Sequence, residues 1–435
     1  MEKAIRMHGR RPIEAVMRPA VVRTFFFLLI LSNLMFSLTA LEWIEEGVVA
    51  IAIVALLFFT ALMQRSLLIS NLGEIIVVVL FAAFVIAQQY YLANGDVSFG
   101  IKWALTLLAT FVPYWIARSL GRVEASGLER TVANALAVLL IVTTTTVVIS
   151  YLFEQGEVHV QPSGLVRAFG WLGDSFSPVL VFFIFYYFFR RQYLVVALSL
   201  IVLLMTVAKS ALLMLVLSPV AFIFNAASAK IKIALSGFYF ILLFGLVAFS
   251  APIFEKMDDL FQMDYSYYTR ALSVYSGLSY FTSAPLTGIG INQSLLSIER
   301  DAREHADRLG IDTYFSVLHI DNSIVRVAAE TGLLGLALLL ALLYFMLRAA
   351  FRTLRAGQEI ANPRERAIVV ASSLWVIGFV VFYQTTGWFE AGHPQLAWLL
   401  LFATLADVFH RRARTRSLLI GRVINGHCLV SMGSK

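Results

Sequence analysis

The feature that most constrains this chain is a succession of apolar stretches, each near the length of a bilayer-spanning helix. A hydrocarbon core of about 30 Å needs roughly 20 apolar residues in helical form. Twelve stretches reach or approach that length: 22–41, 47–63, 75–92, 101–118, 131–152, 177–189, 192–208, 210–225, 231–252, 323–347, 367–387 and 393–409. The shortest, 177–189, is set off from its successor only by Arg190, Arg191 and Gln192. With 60% hydrophobic and 14% charged residues, the chain has more apolar surface than a soluble fold can hide. A soluble enzyme, a disordered chain and a secreted disulfide scaffold are excluded, and the single Cys428 cannot form an internal disulfide. The expectation is an all-α polytopic transmembrane bundle of about twelve spans, one integral membrane domain over 1–435.

Lys and Arg in the connections predict the orientation. With both termini placed in the cytoplasm, 25 of the 34 basic residues fall on that side. The net charge of +7 is then a topology signal rather than a nucleic-acid footprint, because it is scattered over loops. The first span reads as a retained anchor. Two outward, periplasmic loops stand out: 153–176, which contains Arg167, and 253–322, between spans nine and ten. Within the larger loop, 265–281 is expected to form a helix lying on the membrane or against the bundle. Residues 292–309 space Glu299/Arg303, Arg300/Glu304 and Glu304/Arg308 four apart, which reads as a solvated helix laced with ion pairs.

Chemistry is narrowed first by what is missing. The sequence holds no Walker loop, HExxH, CxxC, EF-hand or GxSxG pattern and no D-x-D pair, so neither a metal nor a cofactor is expected. The outward face offers Arg167, Arg270 and Lys209 as cations, and His319, Asp321 and Asn322 just before the tenth span. Cations beside a helix N-terminus can cradle phosphate or pyrophosphate, arginine forks standing in for a metal. Plainer readings sit beside these. Asp321, Asn322 or Ser323 can be the helix N-cap, Lys209 can snorkel outward, and Arg326 and Glu330 can pair just inside the interface. Gly332 and Gly335 are expected to permit close helix packing.

At this point a family comes into view. The stretch 319–335 (HIDNSIVRVAAETGLLG) resembles the signature of the O-antigen ligase and polymerase superfamily, a His-Asn or Asp-Asn pair followed by an Ala-Glu-x-Gly-Leu-Leu-Gly run. Thr269-Arg270, followed by 284–290 (APLTGIG), is similar to the family's Arg and Pro-Leu-x-Gly-x-Gly segment. Residues 166–170 (VRAFG), running on to Ser177-Pro178, resemble its Arg-x-x-Gly segment, and Ala208-Lys209-Ser210-Ala211 sits where Ser-Arg-Gly often stands. Two departures matter: Asp321 occupies the slot where ligases usually carry His, and Lys209-Ser210 reverses the order of cation and hydroxyl.

The resemblance implies a metal-independent glycosyltransferase acting on the periplasmic face of a bacterial inner membrane. Its donor would be a polyprenyl-pyrophosphate-linked glycan, its acceptor a second glycan, and its setting the lipid bilayer, with a flippase and a chain-length regulator as further partners. His319 or Asp321 would serve as base, the choice between them open. Arg167, Arg270, Lys209, Asn322, Arg326 and Glu330 would bind or position substrate, Glu330 by holding Arg326. The Asp-Asn form points toward repeat-unit polymerisation. Ligation of a finished glycan to a lipid acceptor is the near alternative, and a twelve-span transporter or flippase the distant one.

Overall fold

The computed structural model describes residues 19–37, 72–92, 97–121, 126–154, 157–160, 166–170, 176–226, 266–309, 317, 319–320, 322–382 and 394–432. The expected spans 47–63 and 231–252 lie outside these residues, as does Asp321. Twelve helices occur among the described residues: α1 (Pro19–Ser37), α2 (Leu72–Leu92), α3 (Ser98–Leu120), α4 (Leu128–Phe153), α5 (Ser177–Phe189), α6 (Tyr193–Thr206), α7 (Lys209–Ala226), α8 (Ser266–Ser283), α9 (Ser294–Leu309), α10 (Ser323–Gly357), α11 (Pro363–Phe382) and α12 (Pro394–Met432). Four of them, α2, α3, α4 and α10, are long and apolar enough to cross a membrane. The chain is a helical membrane protein. Exposed apolar side chains such as Leu80, Ile141 and Leu340 form the surface that lipid would cover.

The bundle core is built around the shortest expected span. Helix α5 is apolar on every side, so no face of it favours water or a polar boundary, and it is buried over nearly its whole length. Pro178 sits in its first turn, where a missing N–H costs nothing, and the Pro178 carbonyl accepts from Trp375 Nε1 at 2.6 Å. Phe182 stacks on Phe402 of α12 at 4.0 Å between ring centroids, and Trp375 of α11 lies 4.6 Å from the same ring. Arg191, at φ 60°, turns the chain from α5 into α6. Helix α12 runs well past the expected limit of its span and carries the basic tail as helix, with Arg411 paired to Asp407 at 2.7 Å and Arg416 to the buried Glu365 at 2.9 Å.

The described residues are all-α apart from one short hairpin. The segment expected as the first outward loop contains an antiparallel hairpin, β1 (Glu157–Val160) paired with β2 (Val166–Gly170), and β2 packs against α4 and α6. Alternating β-branched and aromatic residues favour a strand here: Val158, Val160, Val166 and Phe169. Ala168 and Phe169 are buried.

The described part of the segment expected as the second outward loop forms a helical cap with its own small core. Helices α8 and α9 and the start of α10 bury Leu272, Ile298, Ala302, Ala306, Ile320 and Ala329 together. Helix α9 is therefore amphipathic rather than solvated all round. Its outer face carries Arg303–Glu299 at 2.9 Å and the Arg308–Glu304 pair, while Arg300 bonds Asp301 at 3.1 Å instead of the expected Glu304.

Candidate functional site

Helix α10 starts at Asn322, whose side-chain oxygen accepts from the N–H groups of Ile324 and Val325 at 3.0 and 3.1 Å. Among the expected alternatives the N-cap is therefore Asn322. The cap satisfies two donors of the first turn, so those N–H groups are not available to an anion, as the phosphate-cradle expectation required.

Ten residues on, the helix breaks. Gly332 has φ 64° and ψ −162°, a conformation open to glycine and strained for any L side chain. The 284–290 loop fills the break. Leu333 N–H bonds the Pro285 carbonyl at 2.8 Å and Leu334 N–H the Leu286 carbonyl at 3.4 Å. In return the carbonyls of Ala329 and Glu330, which an unbroken helix would pair with those same N–H groups, accept from Ile289 N–H at 3.0 Å and Gly290 N–H at 2.9 Å. A Cβ on Gly332 would fall against the backbone of Leu286 and Gly288, and one on Gly288 (φ 72°) against the backbone of Glu330 and Thr331. Gly332 is thus required by the break and the loop docked in it, not by helix–helix packing as expected. A Cβ on Gly335 would fall first against the Thr331 side chain of its own helix.

A buried polar cluster seals this junction. Arg326 and Glu330 pair at 3.4 Å, with side chains only 7% and 5% exposed. Ser294 Oγ donates to Glu330 Oε1 at 2.5 Å, and Arg326 Nη2 donates to Asn292 Oδ1 at 2.9 Å. From α2, the Gln88 amide donates to the Glu330 carbonyl at 2.7 Å and also to the Thr287 carbonyl. Gln88, Asn292 and Ser294 escaped the sequence reading. The available signal was a polar Gln88-Gln89 pair inside the apolar stretch 75–92, since polar groups within a span are functional candidates.

The groups left on the outer side of this cluster are different in kind. His319 is exposed just before α10, and Arg270 is exposed on α8. Helix α8 packs closely on the start of α10, so closely that a Cβ on Gly277 would lie 2.6 Å from Val325 Cγ1 and 3.1 Å from Ile320. The fold therefore places the Arg270 helix beside the segment carrying His319 and Asn322. Arg167 sits opposite His159 in the hairpin register, on the unit packed against α4 and α6. Lys209 opens α7, which packs against α5, α10 and α11. Tyr280 braces the cap by donating to Asp301 at 2.6 Å, and burial, reinforced by that bond, pushes its hydroxyl up to about 12.

Fold and site together define a helical membrane protein whose candidate site lies where a broken helix meets an extramembrane cap. Residues 194–340 match the family model described as O-antigen ligase, a span that holds α7, the cap, the docked loop and the break. The match covers 147 of the 435 residues and supports placing this segment with the O-antigen ligase and polymerase superfamily, whose members are glycosyltransferase-like membrane enzymes that use lipid-linked glycans. No curated protein matches the chain.

Proposed function

We propose that this protein polymerises polyprenyl-pyrophosphate-linked oligosaccharide repeat units on the periplasmic face of a bacterial inner membrane. The single observation that carries the reading is the backbone lock between 285–290 and 329–334. It joins the two most family-like blocks of the sequence and holds the Arg270 helix in fixed relation to His319 and Asn322.

In the proposed reaction an acceptor hydroxyl oxygen attacks the anomeric carbon of the donor sugar from the face opposite the carrier. A new glycosidic bond forms, the bond to the pyrophosphate oxygen breaks, and configuration inverts. The hydroxyl proton goes to His319 or Asp321. The leaving pyrophosphate takes the bonding electron pair, and Arg270, Arg167 and Lys209 offset the developing charge. Asn322, Arg326 and Glu330 act as positioning residues, because their polar atoms are committed to the cap and to the buried cluster. The two outward loops, 153–176 and 253–322, supply the walls of the site. A flippase would deliver the donor, and a chain-length regulator would set the product.

A second reading, ligation of a finished glycan to a lipid acceptor, is favoured by the description of the matching family as O-antigen ligase. One experiment separates the two. A deletion strain is complemented with wild type, His319→Ala, Asp321→Ala or Arg270→Ala at matched expression, and lipid-linked and surface glycans are sized. Single lipid-linked repeat units in the deletion strain, with long chains restored by wild type and lost in Arg270→Ala and one of the other two variants, are expected. Long polymer accumulating on the carrier lipid would establish the ligase instead. Unchanged glycans of every size would remove both readings.

A further inference from the structure

The same two helices that carry the polar junction carry a second charged feature at their other ends. On α2, Glu74 lies fourteen residues before Gln88, about 21 Å along the axis. On α10, Arg348 lies eighteen residues after Glu330, about 27 Å. These separations approach the thickness of a hydrocarbon core, so the second feature sits at the opposite bilayer surface, the arginine-rich end of the bundle.

There, helices α2, α3, α10, α11 and α12 line a cavity of about 270 Å³. Its charged lining is Glu74, Arg118, Arg348, Arg352, Asp407 and Arg411, four arginines against two carboxylates. Both carboxylates are already engaged. Arg118 holds Glu74 at 2.5 Å and is itself steadied by Thr404 Oγ1 at 3.2 Å. Arg411 grips Asp407 through two contacts, at 2.8 and 2.7 Å. Arg348 and Arg352, one turn apart on α10, are exposed and have no acidic partner among the described residues. The cavity therefore keeps a surplus of two positive charges in a space roomy enough for a ligand. Its lining includes Phe345, and Leu72 and Tyr344, the chain neighbours of the lining residues Gly73 and Phe345, are exposed apolar side chains.

We infer that this cavity binds the phosphate headgroup of a membrane lipid, with Arg348 and Arg352 as its principal ligands. Surplus arginines call for an anion, and their planar forks match phosphate oxygens. The adjoining apolar surface gives the acyl or prenyl chain of the same molecule a place to lie. Basic pockets between membrane helices hold anionic headgroups for this reason. The site is separate from the proposed glycan transfer and stands or falls without it.

The test uses the full chain, purified in neutral detergent and exchanged into phosphatidylcholine nanodiscs doped with either phosphatidylglycerol or a polyprenyl phosphate. Retained lipid is counted by native mass spectrometry after gentle release. Wild type is compared with Arg348→Gln/Arg352→Gln and with Arg355→Gln, a basic residue on the same helix that does not line the cavity. Loss of two arginines at a headgroup is expected to weaken retention about 30-fold. The Arg355→Gln protein should match wild type. The doped lipid that shows this loss identifies the source of the phosphate. Equal retention by wild type and the double variant would overturn the site. So would inorganic phosphate displacing the lipid at equal concentration, because the apolar chain would then add nothing.

Discussion

At one end of the α2–α10 pair, Glu330 and Arg326 are sealed beneath a docked backbone loop. At the other, Glu74 and Arg118 form one wall of an open cavity with two more arginines exposed beside it. Both ends hold a buried acid–arginine pair on the same two packed helices, yet they do different things. In the sealed end one carboxylate meets one guanidinium, Ser294 Oγ donates to the carboxylate, and Asn292 Oδ1 accepts from the guanidinium. Both side chains are buried and bonded to neighbouring protein groups, so the pair fixes geometry. In the open end charge and space both remain. A buried ion pair by itself therefore does not mark a binding site; surplus charge facing a cavity does. It follows that the substrate-facing groups of the sealed end are to be sought outside the pair, at His319 and Arg270.

The largest expected effect tests that contrast directly. Glu330→Ala strands Arg326 in a dry site and should cost about 3–5 kcal/mol. Glu74→Ala leaves Arg118 beside an open cavity and should cost about 1–3 kcal/mol. Unfolding of both variants in the same detergent checks the order, and a reversed order would break the comparison. Next comes the break itself. Gly332→Ala should lose about 1–3 kcal/mol from its positive φ alone, and no side-chain truncation nearby should restore it, because the obstruction is backbone. Gly335→Ala should be relieved only in part by Thr331→Ala, since the Thr331 Cβ that remains lies 2.3 Å from the added methyl. Thermal melts of the single and double variants decide it.

A smaller effect follows from Gln88. Removing its amide in Gln88→Ala takes one donor from the Thr287 carbonyl and one from the Glu330 carbonyl, which keeps Gly290 N–H, at about 1–2 kcal/mol. Faster hydrogen exchange over 285–290, with α12 unchanged, is the expected signature. The smallest effect is a pH dependence confined to the cap. Burial draws the Asp301 carboxyl upward, but the Tyr280 hydroxyl and Arg300 outweigh it and hold the group below its ordinary value. Because the folded value is the lower one, this contribution is complete above the ordinary carboxylate value and is lost as pH falls through the lowered one. Exchange protection of α9 should decline over that window in wild type and stay flat in Asp301→Asn.

Much of this architecture was legible in the sequence because a membrane protein advertises its helices as long apolar runs. The helix expected at 265–281 is α8, and the anticipated Arg326–Glu330 pair is present. Residues 177–189 and 192–208 are separate helices despite their narrow break, since Arg190 and Arg191 cannot be carried through an apolar interior. The hairpin at 157–170 was hidden because two short strands give a weak signal beside so many helical runs. The buried face of α9 was masked by its charges, which draw attention to the outer side.

The sequence by itself determined the solvent, the class of fold and the order of the family-like blocks, because hydropathy, local spacing and residue identity are properties of the chain alone. Only the tertiary structure decided what those blocks do to one another. That 284–290 supplies the hydrogen bonds missing from a helix broken at Gly332, and that Gln88 reaches across to complete them, depends on segments roughly 40 to 240 residues apart meeting in space. Nor could spacing tell a sealed ion pair from an open one. That depends on how closely neighbouring backbone approaches, which is fixed by packing and not by the pair.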